Sequence, residues 1–362
     1  MNRYSKRTII EAGKAVANSG PDVTPDLIDA FRIAHDWRYG HLVPMRRVRR
    51  ELSDKARRVA NNPVLTAGRL KRFQSIRAKL KRGNLTLYQM QDLGGARAIM
   101  SSADQARRLT QWYLDGGSKF ELANQGNDYW EAPKADGYRS RHLILRVDEP
   151  EETGGNRIVV ELQIRTKLQH SWATAVEAVG LVRGENLKAG QGNADWLRFF
   201  AVASGEFAAE EQQPMIPGVS SDREERRAEL RDIADRLDAI GTLESYNRAI
   251  RQTEGFLNLK GQSYLVRYDA TKRGVEVSSY SNFSRLQNAA FREEISNQHP
   301  DTVVIELDKV GDLRSAYPNY FLDVRMFSDR IKSVLFESVP TKVLAHRRAS
   351  KWAPFLDFLR RD

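Results

Sequence analysis

The chain has 362 residues, a formal net charge of +11 and 41% apolar residues, which is room for two domains or one large domain with an appendage. It contains no cysteine, so disulfides and thiolate metal sites are excluded, and its six scattered histidines form no zinc cluster. No apolar stretch approaches membrane-spanning length, and the polar start Met1-Asn-Arg-Tyr-Ser-Lys-Arg7 lacks a following signal-peptide core, so a cytoplasmic location without membrane contact is expected.

Residues 3 to 60 read as helical, with breaks around Asn18-Ser-Gly-Pro21 and Tyr39-Gly40 and a helix start at Thr24-Pro25. From 65 to 180 helix and strand alternate. The pattern predicts a basic helix to about Arg82, a strand at 92 to 100, a helix at 104 to 115, strands near 139 to 147 and 157 to 165, and a helix from Lys167. Long helices are predicted at 193 to 211 and 222 to 254, separated by Gln213-Pro-Met-Ile-Pro-Gly218. After Gly255 the pattern changes to a hairpin of 263 to 268 and 274 to 280 around Thr271-Lys-Arg-Gly274, a helix at 283 to 297 and a strand at 302 to 307. Helices return near Pro318 and over the last dozen residues. The 256 to 345 stretch thus reads as a small α+β unit with its own core pattern.

Two segments carry an acid within a strand-like run: Gln91-Asp-Leu-Gly-Gly-Ala-Arg97 and Val160-Glu-Leu-Gln-Ile-Arg-Thr166. Period-2 alternation in the second puts Glu161, Gln163 and Arg165 on one face and Val160, Leu162 and Ile164 on the other. Asp92 and Glu161 on neighbouring strands could hold one Mg²⁺, a hard cation suited to carboxylates and substrate phosphates. Either strand alone reads as a half-exposed sheet with ordinary charges. His35-Asp36 suggests a metal-dependent hydrolase, but the further histidines and acids such a site needs are missing.

The positive charge is concentrated. Arg46 to Arg82 holds fourteen Lys or Arg against Glu51 and Asp54, a local excess of 14 − 2 = +12, so the remainder is near neutral. Such a stripe is the footprint of a polyphosphate or nucleic-acid partner.

The order and spacing of Arg69-Leu-Lys-Arg-Phe-Gln-Ser-Ile-Arg-Ala-Lys79, the two acidic strands, and Asp128-Tyr-Trp-Glu-Ala-Pro-Lys-Ala-Asp-Gly-Tyr-Arg-Ser-Arg-His142 resemble the synthetase domain of the RelA/SpoT family. These enzymes move pyrophosphate from ATP to a nucleotide 3′-hydroxyl. The resemblance spans roughly residues 60 to 180 and implies a mixed-sheet, nucleotidyltransferase-like α/β fold with helical flanks. It implies ATP binding by Arg69, Lys71, Ser75 and Lys79, and acceptor binding by Lys134, Tyr138 and His142, with Tyr138 stacking on the acceptor base. It also implies Mg²⁺ at Asp92, with Glu161 either assisting deprotonation of the acceptor hydroxyl or sharing the metal. Arg97, Gln163 and Arg165 are candidate supports.

The end of the chain narrows the resemblance. Ala316-Tyr-Pro-Asn-Tyr-Phe-Leu322 is similar to the Tyr-x-x-Tyr motif of CapRel-like fused toxin–antitoxin members of this family. By that resemblance Tyr317 and Tyr320 are autoinhibitory, and the 256 to 345 unit is an antitoxin built like a zinc-binding fold without cysteines and without zinc. The domains expected are 1–60 helical, 61–185 synthetase, 186–255 helical linker, 256–345 antitoxin and 346–362 C-terminal helix. The implied function is anti-phage defence: pyrophosphate transfer to the 3′-hydroxyl of the tRNA CCA end, which stops translation, held off until a phage major capsid protein binds. A tRNA would contact Arg46, Arg47, Arg49 and Arg50, with added charge at Arg139 and Arg141. The alternatives are synthesis of a guanine or adenine alarmone and, in another class, a non-catalytic RNA-binding or nucleotide-sensing module.

Overall fold

The computed structural model describes residues 4–20, 24–83, 85–148, 157–249, 263–269, 274–296, 302–307, 312–321 and 323–336. In chain order these form α1 (Lys6–Asn18), α2 (Ile28–Tyr39), α3 (Leu42–Ala60), β1 (Leu65–Leu70), α4 (Phe73–Lys81), β2 (Gly94–Met100), α5 (Ala103–Leu114), β3 (Glu121–Asn124), β4 (Arg141–Asp148), β5 (Arg157–Thr166) and α6 (Lys167–Arg183). There follow α7 (Ala194–Glu210), α8 (Arg223–Leu237), α9 (Ala239–Ala249), β6 (Ser263–Asp269), β7 (Gly274–Tyr280), α10 (Phe283–Ser296), β8 (Val303–Glu306), α11 (Leu313–Ala316), a 3-10 turn at Pro318–Phe321, and α12 (Arg325–Phe336). The expected helix at 346–362 lies outside the described residues, as does the tip of the 271–273 hairpin.

All eight strands share one mixed sheet in the order β3-β4-β5-β2-β1-β8-β6-β7. The β2–β5 pair is parallel and every other pair antiparallel. The segment expected to be a self-contained α+β unit therefore extends the sheet of β1 to β5, through two register pairs, Gly68 with Glu306 and Arg69 with Ile305.

The alternation read in β5 is realised: Val160, Leu162 and Ile164 are fully buried with Leu70, Ala96 and Ala98 under α3 and α5. Leu286 and Ala290 of α10 join that same core. Gly68 lets α3 come close, since a Cβ there would lie 3.1 Å from the Met45 side chain and 3.3 Å from Arg49. A second layer, α6 to α9 with α12, packs around Trp196, Phe199, Phe200 and Phe327.

Two expectations need correction, and one strand escapes the sequence pattern. The basic stretch 65 to 82 is not one helix: Leu65–Leu70 is strand β1, because pairing with β2 on one side and β8 on the other outweighs the local helical pattern. The 222 to 254 helix is broken at Asp238, which takes a left-handed conformation with φ 47° and caps α8. The four-residue strand β3 has too short an alternation to be seen in sequence. No helix among the described residues is long and apolar enough to cross a membrane.

Candidate active site

Cross-strand register assembles the site on the sheet face opposite α3. One row runs Ile144, Glu161, Gly95, Arg69 across β4, β5, β2 and β1; the next runs His142, Gln163, Arg97, Ala67. Opposed residues project to the same side, so the two rows form a floor. Gly95, without a side chain, leaves open space between Arg69 and Glu161. Above this floor lies a cavity of about 220 Å³ that also takes in Lys71, Asp92, Tyr129, Lys134, Asp136, Tyr138, Arg165, Lys188 and Tyr317.

Asp92 precedes β2 and Lys71 follows β1, and the Lys71 amide donates to the Leu93 carbonyl at 2.9 Å, which sets the two side by side. Asp92 Oδ2 accepts from Lys71 Nζ at 2.7 Å and from Lys79 Nζ at 3.0 Å. Burial would raise the Asp92 carboxyl; the two ammonium charges outweigh burial and lower it. Its Oδ1 is buried with no hydrogen-bond partner. Ser75 lies one turn before Lys79 on α4 and is half-buried.

Glu161 is held on both oxygens, by His142 Nδ1 at 3.0 Å and by Gln163 Nε2 at 2.6 Å. Burial works to raise its pKa, and the hydrogen bond from His142, with those of Gln163 and the charge of Lys71, brings it down to about 2. His142 Nε2 meets the Tyr138 hydroxyl at 2.8 Å, and Arg165 donates to that hydroxyl at 2.5 Å. Lys134 Nζ lies 5.0 Å from the Tyr129 ring centre and 5.5 Å from that of Tyr138. The turn before Tyr138 needs Gly137: its φ is 93°, and a Cβ would meet Trp172 and Ser204 at 2.9 Å.

The structure thus brings Arg69, Lys71, Asp92, Lys134, Tyr138, His142, Glu161 and Tyr317 to one cavity, with Lys79 reaching in through Asp92. Tyr317 is buried, with Arg97 at 5.8 Å from its ring centre. Burial pushes the Arg97 guanidinium down to about 10, aided by the charges of Arg165 and Arg69. Tyr320 lies in the Pro318–Phe321 turn, and its side chain is outside the described set.

The arginines of α3 do not reach the cavity; that helix is behind the sheet. Arg46 forks onto Glu306 with both contacts at 2.8 Å, and Arg49 is buried. Arg47 and Arg50 are exposed. Arg139 and Arg141, expected to charge the acceptor loop, are instead buried, Arg139 on Gln213 and Arg141 beside Asp128 at 3.4 Å. Lys188 escaped sequence reading because it sits in a loop with no periodicity. It pairs with Glu177, which raises its pKa; burial and the charges of Arg69 and Arg165 outweigh that and bring it to about 8.

One feature of the cavity suits a metal, the orphaned Oδ1 of Asp92. Among the described residues no group of three or more His, Asp or Glu gathers, so an ion here would rest on Asp92, through its unpartnered Oδ1, and on substrate oxygens. The surplus of cations around the cavity suits a polyphosphate.

The sequence profile described as a region found in RelA / SpoT proteins matches residues 68–180. The GTP pyrophosphokinase YjbM of Bacillus subtilis (strain 168) is 30% identical over 145 residues, covering 37% of this chain and 68% of that protein. The chloroplastic GTP diphosphokinase CRSH1 of Oryza sativa subsp. japonica is 36% identical over 90 residues, 25% of this chain and 15% of the relative. The crystal structure of small alarmone synthetase 1 from Bacillus subtilis bound to its product pppGpp superposes with TM-score 0.41 at 24% identity, covering 49% of this chain and 93% of that one. A mixed-sheet transferase with a cationic, carboxylate-bearing cavity is the class these observations define. The chain belongs to the RelA/SpoT family and is a pyrophosphokinase of that type, a group whose synthetases take ATP as pyrophosphate donor.

Proposed function

We propose that the chain is an autoinhibited pyrophosphokinase that places the pyrophosphate of ATP on the 3′-hydroxyl of the tRNA CCA end, as part of anti-phage defence. The observation that carries autoinhibition is the buried ring of Tyr317 in the same cavity as Arg69, Asp92 and Glu161. An intramolecular plug acts at high effective concentration, so modest contacts suffice to hold it.

In the reaction the acceptor 3′-oxygen bonds to the β-phosphorus of ATP, the bond from that phosphorus to the α,β-bridging oxygen breaks, AMP leaves, and the hydroxyl proton is released. Arg69, Lys71 and Lys79 bind the triphosphate and Ser75 lies beside them. Glu161, ionised at every physiological pH, holds His142 by Nδ1, and as a cavity-lining carboxylate it would accept the hydrogen bond of the acceptor hydroxyl and orient it for attack. Arg165 fixes the Tyr138 hydroxyl so that the ring can receive the acceptor base, with Lys134 near its phosphates. Asp92 would hold Mg²⁺, which supplies charge neutralisation for the transferred group.

The charge that supports a tRNA acceptor is the exposed set Arg47, Arg50, Arg57 and Arg58, with Lys81 and Arg82 at the end of α4. A second reading, transfer to a guanine nucleotide, is favoured by the GTP pyrophosphokinase names of the relatives. Release is by a partner that binds the C-terminal segment, and the partner the fused toxin–antitoxin resemblance implies is a phage major capsid protein. The test is incubation of the Tyr317→Ala protein with ATP labelled at the γ-phosphate, offered tRNA and GDP or GTP separately. Label on tRNA supports the first reading, label on guanine nucleotide the second, and label on neither removes both.

A further inference from the structure

The buried charges between α2 and α10 lie outside the cavity, and no step of the reaction uses them. Glu294 of α10 receives His35 Nδ1 on Oε2 at 2.8 Å and lies 2.6 Å from Arg38 through Oε1. All three side chains are almost wholly buried, at 7%, 2% and 2% exposure. A charge removed from water to this degree is stable only while its partner stays. Asp36, the neighbour in sequence, takes the Tyr4 hydroxyl and the Gln287 amide, so His35-Asp36 serves the junction between helices and not a metal.

Arg38 has a second task. Its NH1 donates to the Lys71 carbonyl at 3.2 Å, and its guanidinium lies 5.7 Å from the ring centre of Phe73 at the start of α4. Lys71 is thereby held at three points: its amide on the Leu93 carbonyl, its carbonyl on Arg38 and its ammonium on Asp92. The residue links the end of β1 to α4, which carries Ser75 and Lys79. An unbroken series of contacts therefore runs from α10 through Glu294 and Arg38 to the lysine beside Asp92.

We propose that Arg38 is a positioning residue for the ATP site, set in turn by Glu294, so that the C-terminal segment supports the site that its own Tyr317 fills. This rests on the reading of Lys71 as an ATP-binding residue. It follows that activation moves the stretch bearing Tyr317 while α10 stays seated. Loss of the whole segment would leave Arg38 buried without its carboxylate and weaken the hold on the Lys71 carbonyl, leaving the Lys71 backbone fixed through its amide alone.

The experiment is steady-state transfer by full-length protein, in the parent and in the Tyr317→Ala background, with KM for ATP and kcat determined separately. Arg38→Met is expected to raise KM for ATP about tenfold and leave KM for the acceptor unchanged, since misplacing a binding group costs more than its bulk suggests. Arg38→Lys should recover part of the loss, and Glu294→Gln should give a smaller rise. Because both act through one carbonyl, Glu294→Gln should add little in an Arg38→Met chain. Lys71→Met serves as the reference: if it leaves KM for ATP unchanged, the ATP-site reading of Lys71 is what fails. If Lys71→Met raises KM but a folded Arg38→Met protein keeps the parent KM, the positioning role is overturned. Should Arg38→Met not fold, Glu294→Gln decides alone, and an unaltered KM for ATP in that folded variant overturns the proposal.

Discussion

Two halves of one sheet face have opposite chemistry. On β1, β2, β4 and β5 the face carries Arg69, Arg97, Glu161, Gln163 and His142; on β8 and β6 it carries Val303, Ile305, Tyr264 and Val266, all buried. The change is completed in one step, because Arg69 is paired directly with Ile305. Tyr317 belongs to the apolar cluster of the second half and lines the cavity of the first. Continuity of the sheet makes the boundary between the charged and the apolar half a single strand pair, and an aromatic ring with one polar atom suits that boundary.

Changes on the charged half should show first in the chemistry. Glu161→Gln or Asp92→Asn is expected to lower transfer on the order of a thousandfold, with the circular dichroism spectrum unchanged, because each removes charge and little volume. A folded Glu161→Gln protein that transferred at the parent rate would remove this residue from the mechanism. At the seam, Tyr317→Ala should raise the basal rate about tenfold or more. If the folded variant transfers no faster than the parent, Tyr317 is an ordinary core anchor.

The apolar half should behave differently. Ile305→Ala should cost about 2–4 kcal/mol in denaturant unfolding, the range for emptying a buried aliphatic site, and should also raise basal activity by loosening the bed of Tyr317. A loss of stability with no gain in activity would uncouple the two halves.

Acid should expose the charged half through Glu161. Its carboxyl lies near 2 in the folded chain against the usual 4.5, so its stabilisation is complete above about pH 4.5 and is lost as pH falls toward 2. The loss amounts to roughly 3 kcal/mol. Unfolding at pH 7 and pH 3 should differ by less in Glu161→Gln than in the parent, and equal differences would assign the acid sensitivity elsewhere.

The smallest expected effect divides α3. Arg47→Glu together with Arg50→Glu should weaken tRNA transfer several-fold at low salt, with the deficit shrinking as salt rises because fewer counterions are released on binding, and leave stability within about 0.5 kcal/mol. Arg46→Met should instead lower stability, since it leaves Glu306 buried without its guanidinium. Identical salt dependence in both variants would mean that α3 does not meet the acceptor.

What the sequence made legible was local. Alternation in β5 placed Glu161, Gln163 and Arg165 correctly, and the breakers at Asn18, Gly40 and Gly137 bounded their elements. The strand at Leu65–Leu70 was hidden because its identity comes from partners distant in the chain, one of them β8. The charges of α3 looked alike in sequence; only packing shows that Arg49 is buried behind Gly68 while Arg50 meets water. Arg38 and Glu294 are separated by more than half the chain, and no periodicity connects them.

The place of β8 beside β1 also sets an order in time. Synthesis completes β1 to β5, with Arg69, Asp92, His142 and Glu161 in hand, well before the strand that borders Arg69 exists. Tyr317 emerges about 150 residues after Thr166, roughly ten to thirty seconds later at ordinary elongation rates. During that interval the cavity lacks Tyr317 and β1 presents a bare edge with unpaired backbone groups. Each newly made molecule therefore passes through a period in which the charged half of the sheet exists before the apolar half that borders it, at the ribosome itself.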